Sequence, residues 1–117
     1  MDQETPEVIQ KADDAYEAIR AICHMSQTHP APTVYGVLGN LKGAIGPMLA
    51  QTLRQLAKGL ERSLNEYDVY EDDGSDPAGS IALAGKHLYE AAILADLLGE
   101  SLTKAQNAIS RQGYRER

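Results

Sequence analysis

The sequence predicts an all-α fold: an elongated, antiparallel bundle of three long helices, the second bent at Gly46-Pro47, completed by dimerisation. Three observations lead there. Apolar residues recur at steps of three and four through three long segments, which is the spacing of one helix face. The prolines stand at the segment boundaries and at one point inside the second segment, Pro47. No run of alternating β-branched residues reads as a strand.

Thr5-Pro6 reads as a helix start, with Thr5 as N-cap and Pro6 in the first turn. The first helix, about 6–28, carries Val8/Ile9, Ala12, Ala15/Tyr16, Ile19, Ile22/Cys23 and Ser26 on one stripe. His29-Pro30-Ala31-Pro32 breaks it, because proline restricts the residue before it and cannot donate. The second helix, about 33–66, has the stripe Val34, Leu38, Leu41, Ile45, Met48/Leu49, Leu53, Leu56, Leu60, Leu64 and Tyr67. The stripe keeps phase across Gly46-Pro47, so a bend is expected there and not a loop. The stretch from Tyr67 to Asp76 has no helical period and is the connection. Asp76-Pro77 repeats the cap-plus-proline start for a third helix, about 77–112, with Gly113 placed to end it. Its heptad has Ile81, Leu88, Ala95, Leu102 and Ile109 at one position and Ala84, Ala91, Leu98 and Ala105 at the other. Beside them runs a line of small residues, Gly85, Ala92 and Gly99, that lets a neighbouring helix approach closely.

The chain is 117 residues long, one domain's worth. Its 43% apolar and 24% charged residues suit a folded protein and not a disordered one. A net charge of −6 argues against nucleic acid, whose phosphates demand cationic surface, and against an anionic membrane. With no Phe and no Trp, the core has to come from small and aliphatic residues, and the six tyrosines belong at its edge. The start Met1-Asp2-Gln3-Glu4 does not read as a secretory signal. The longest uncharged run, Ala21–Leu41, contains Ser26, Gln27, Thr28, His29, Pro30, Pro32 and Asn40 and does not suit a bilayer. With a single cysteine, Cys23, the expected location is the cytoplasm.

Two helices of about 34 residues would each be about 50 Å long, a rod with too much surface for its volume. Such rods share apolar faces with a second copy, so a homo-oligomer, a dimer, is the expected partner. Up-down-up order gathers the acids of residues 1–14 and 61–76 at one pole. The other pole is weakly basic, with Arg111, Arg115 and Arg117 in the tail. Charge collected for solubility would look the same.

The most informative stretch is residues 21–53, where Lys42 is the one charged side chain. An outer helix in a small bundle shows a charged face to water, and this one has none. Gly36, Gly39, Gly43 and Gly46 form a seam on the side away from Val34, Leu38, Leu41 and Ile45. Each glycine costs a helix about 1 kcal/mol against alanine, so a close helix contact is needed in return. That contact is either within the chain or with another protein. The candidate interface is Val34, Tyr35, Gly36, Val37, Leu38, Gly39, Leu41, Gly43 and Ile45.

Catalytic and cofactor patterns are not found. Neither GxxxxGK[ST] nor GxGxxG occurs, and no strand precedes the glycine run. Aligning Gly74 with the glycine of a calcium loop puts Val69 and Ser80 at the terminal ligand positions, which is not an EF-hand. A di-metal bundle needs Glu-x-x-His, and only the reverse spacing, His87 to Glu90, occurs. Cys23 and His24 are sequence neighbours and point apart on a helix; His29 precedes a proline. Cys23 lies on the apolar stripe and reads as a core residue. Arg54, Lys58 and Arg62 share one helix face and read as a solvated surface. No catalytic residue, cofactor or metal is therefore assigned.

The segments Pro32–Leu41 and Ala105–Arg115 resemble stretches in small, uncharacterised all-helical proteins of actinobacteria, a likeness running from about Pro32 to the end. That resemblance implies no catalytic residues. Tyr67-x-x-x-Glu71 is also similar to the export pattern of helical-hairpin substrates of type VII secretion, although the Trp-x-Gly turn of that group is replaced by Val34-Tyr35-Gly36. The expected function is a non-enzymatic helical interaction module that self-associates through the low-charge segment. The alternative is an adaptor or regulator that binds another protein through its acidic pole or basic tail. A metal-binding bundle and a secretion substrate stand behind these.

Overall fold

The computed structural model describes residues 5–25 and 27–117. Every regular element among them is helical: α1 (Glu7–Met25), α2 (Ala31–Gly43), α3 (Leu49–Glu66) and α4 (Pro77–Ala108). A π-helical turn, Ala44–Met48, joins α2 to α3. Where length alone suggests one domain, contacts gather into two units, Met1–Pro30 and Ala31–Arg117.

In the first unit, α1 begins one residue after Pro6. The Gln10 side-chain amide reaches back to donate to the Thr5 carbonyl (2.9 Å). The helix ends at Met25, whose carbonyl is hydrogen-bonded by His29 Nε2 (2.6 Å). The predicted end at 28 is thus three residues long, and Ser26 of the predicted stripe lies outside the described residues. No α1 residue is buried, and Cys23 is exposed, which corrects its reading as a core residue.

The second unit is a helical bundle in which α4 packs along α2, the π turn and α3. The register is antiparallel: Gln106 meets Tyr35, Gly99 meets Gly46, and Asp96 meets Arg54. The predicted long helix with a bend at Gly46-Pro47 is present. Proline has no N–H to donate and its ring collides with the carbonyl four residues back. The backbone answers with a wider turn, in which Leu49 N–H bonds the Ala44 carbonyl and Gly46 leaves helical geometry (φ −96°, ψ −108°). The bent helix starts at Ala31, two residues before the predicted Thr33, since Pro32 is tolerated in a first turn.

The connection ties itself down. Gly74, at φ +80°, is the one described residue with positive φ, and its N–H donates to the Glu71 carbonyl (3.0 Å). Asp73 Oδ1 accepts from both Ser75 N–H (3.0 Å) and the Ser75 hydroxyl (2.6 Å). The Ser80 hydroxyl donates to Glu71. Asp76 caps α4 as expected, its Oδ1 accepting from Ala78 N–H (3.0 Å) with Pro77 in the first helical position. The far end differs from expectation. The helix stops at Ala108, and tight turns through Ile109, Ser110 and Gln112 follow. Gly113 makes no left-handed cap, so α4 is four residues shorter than the predicted 112.

The core of this unit is made of small side chains. Ala50, Ala57 and Ala92 are fully buried and Ala95 nearly so, and the partly buried Leu53 packs against the cluster of Ala50, Ala92 and Ala95. No large side chain is fully buried among the described residues. The predicted line Gly85, Ala92 and Gly99 is the buried edge of α4, extended one heptad to Gln106.

Candidate functional site

The low-charge segment lies on α2 and the π turn. Val34, Val37, Leu38, Gly39, Leu41, Gly43 and Ile45 are half-buried, while Tyr35 and Gly36 are exposed. The chain therefore covers one side of this segment itself and leaves the rest open. The four glycines of the seam have separate fates. A methyl group on Gly46 would lie 2.9 Å from Gly99 Cα, so these two residues mark where the backbones cross. A methyl group on Gly39 would lie 2.9 Å from Gln106 Nε2, which donates to the Tyr35 carbonyl (3.0 Å). Gln106 is 5% exposed, and this bond satisfies it. Gly36 and Gly43 face open space.

A simple rule describes both faces of the α2–α3–α4 unit. Successive residues of a helix point about 100° apart, so the neighbours of a buried residue emerge on opposite sides. The residues just before the buried positions of the bent helix are Ile45, Leu49 and Leu56; on α4 they are Ala84, Ala91, Leu94, Leu98 and Ala105. All are apolar. The residues just after are Pro47, Gln51 and Lys58, and on α4 Lys86, Ile93, Asp96, Glu100 and Asn107. These are polar apart from Pro47 and Ile93. Two antiparallel helices are related by a two-fold axis normal to their common plane, so equal rotations from the two seams meet on one face. The Arg54–Asp96 bond (Nη2 to Oδ2, 2.8 Å) fixes the polar face, Arg54 following Leu53 and Asp96 following Ala95. The other face is apolar. Leu38 precedes Gly39 as Ile45 precedes Gly46, so this face continues onto the predicted segment. It is largely uncovered: Leu56 is 49% exposed, Leu94 65% and Leu98 43%.

A cleft of about 460 Å³ opens on the polar face, lined by Lys42, Gly43, Pro47, Asp96, Gly99, Glu100 and Thr103. It exists because Gly43 and Gly99 put no side chains there. Thr103 spends its hydroxyl on the Gly99 carbonyl (2.9 Å). Arg54, read from sequence as solvated, is instead half-buried and paired across helices. Five tyrosines, 16, 35, 67, 70 and 114, are exposed and Tyr89 is half-buried, as expected of edge residues. His87 and Glu90 form an exposed pair at 3.6 Å on a single helix. Among the described residues no group of three His, Cys, Asp or Glu side chains is placed to hold a metal. Among the described residues, no helix is long and apolar enough to cross a membrane.

Sequence reasoning missed the face that α3 and α4 share. The signal was present, as an apolar residue directly before each small one, but it acquires meaning only once the small residues are known to be buried. No family model matches the chain, and no curated protein or solved structure matches it either.

Proposed function

We propose that this protein is a non-enzymatic helical interaction module that self-associates. The low-charge segment supplies the contact through Val34, Tyr35, Val37, Leu38, Leu41 and Ile45. The glycine seam lies on the side away from this contact: Gly39 and Gly46 are occupied by α4, and Gly43 lines the cleft on the polar face. One observation carries the reading: the buried seam is alanine and glycine, while the large apolar side chains stand outside it. Burying an alanine methyl contributes about 0.8 kcal/mol, and burying a leucine about 1.5–3 kcal/mol. Part of this unit's available apolar stabilisation, at Leu56, Leu94 and Leu98 among others, is thus uncollected within the unit. Light scattering across a wide concentration range tests the proposal. A mass that rises to twice that of the chain supports it, and a strict monomer at high concentration contradicts it.

An adaptor role is the second reading. It is favoured by the loop at Tyr67–Asp76, where Tyr67 and Tyr70 are exposed beside five carboxylates. Capture of a basic partner through this loop would weaken as salt screens it.

A further inference from the structure

We infer that a second copy of this chain covers the apolar face, docked antiparallel about a two-fold axis, so that each acidic loop lies beside its partner's basic end. This rests on the self-association proposed above and adds its full surface and its orientation.

The surface is large enough. The 32 residues of α4 span about 48 Å, and two helices side by side are about 20 Å wide. The face therefore offers on the order of 1,000 Å² per copy, against about 800 Å² per partner in a standard stable interface. Its chemistry is aliphatic, carried by Ile45, Leu49, Leu56, Ala91, Leu94 and Leu98, so it suits a partner that is itself an apolar helical face. The same surface on a second copy meets that need, as an isologous contact requires.

The charges set the direction. The loop from Tyr67 to Asp76 carries Asp68, Glu71, Asp72, Asp73 and Asp76 and no base. The opposite end carries Lys104, Arg111, Arg115 and Arg117 against Glu116, all exposed. The two ends are separated by the length of α4, about 48 Å, several times the screening length of about 8 Å in physiological salt. Each end therefore responds only to what is docked next to it. Parallel docking sets acidic loop against acidic loop and basic end against basic end. Antiparallel docking sets each acidic loop against a basic end, twice per dimer.

Cysteine cross-linking in the full chain reads this directly. In a Cys23→Ser background, one variant carries Tyr70→Cys in the loop and another Gln112→Cys after α4. Both positions are exposed, and they are too far apart to join within one chain. The expected result is that mixing the two variants and oxidising yields the mixed Tyr70→Cys/Gln112→Cys dimer several-fold over either like-with-like product, and that raising salt lowers this excess. Predominant like-with-like products overturn the antiparallel assignment. A dimer by light scattering with no cross-link at either site overturns the assigned surface but leaves self-association standing. No dimer at all overturns the proposed function itself.

Discussion

The two sides of α4 are built from different residues. Towards α2 and α3 stand Gly85, Ala92, Ala95, Gly99 and Gln106; one position earlier in each case stand Ala84, Ala91, Leu94, Leu98 and Ala105. The buried side is the smaller one. A globular core ordinarily hides its largest aliphatic side chains and leaves small residues wherever they fall. Here small residues bring the helix backbones together until Gly46 and Gly99 touch, and the leucines are left on the flank. The internal seam is thus specified by steric exclusion and the outer face by apolar area. Substitutions on the two sides should therefore fail in different ways.

The largest effect is expected at the crossing. Gly46→Ala places a methyl 2.9 Å from backbone, not from a side chain that could swing away. It should destabilise by about 2–3 kcal/mol in urea denaturation, since the helices must part. Gly36→Ala, the same change ten residues earlier, meets nothing within 4 Å and should stabilise by up to about 1 kcal/mol through helix propensity. Equal effects at the two glycines would show that steric exclusion does not set Gly46 apart from Gly36.

Next is the polar member of the seam. Gln106→Ala removes the bond to the Tyr35 carbonyl and should cost about 1 kcal/mol. Gly39→Ala should cost more in the native background than alongside Gln106→Ala, because the methyl and the amide compete for one space. A double-mutant cycle reads that coupling, and additive costs would show that Gln106 and Gly39 do not act as a pair.

On the polar face, Arg54→Ala loses a half-exposed ion pair with Asp96, worth about 0.2–1 kcal/mol and less in high salt. Smallest of all is the loop. The Ser75 hydroxyl, and then the Ser75 backbone N–H, hold the exposed Asp73 carboxyl below its ordinary 3.8. A depressed carboxylate stabilises the fold above its unfolded pKa, and that contribution fades as pH falls through the folded value. In an NMR titration Asp73 should take up its proton at lower pH than in the Ser75→Ala variant; identical midpoints would discard the hydroxyl's role.

Much of the fold was legible. Asp76-Pro77 announced the start of α4, Gly46-Pro47 the bend, and Gly85, Ala92 and Gly99 the close approach. Each of these depends on local stereochemistry that a sequence carries. What was not legible depends on where a partner helix sits. Gly36, Gly39, Gly43 and Gly46 share one spacing, yet only Gly39 and Gly46 meet α4. Likewise the α4 heptad gave no ranking among its apolar positions: Ile81, Leu88, Leu102 and Ile109 are half-buried and Leu98 is exposed, while the small residues Gly85, Ala92 and Gly99 beside them are buried. Glycine and alanine admit a closer backbone. Cys23 was misplaced for a related reason: an amphipathic stripe on α1 does not say what covers it. The residues from Val34 to Ile45 were read as needing cover; the share supplied by α4 could not be read from periodicity.

Sedimentation equilibrium of the native chain beside a Leu56→Glu/Leu98→Glu variant reads self-association through the apolar face, with circular dichroism confirming that both remain helical. Both leucines lie on the outer face and outside the buried seam. The expected result is twice the chain mass for the native protein and the chain mass for the variant. A native protein that sediments as a single chain, with the variant unchanged beside it, would show that the apolar face does not bring two copies together.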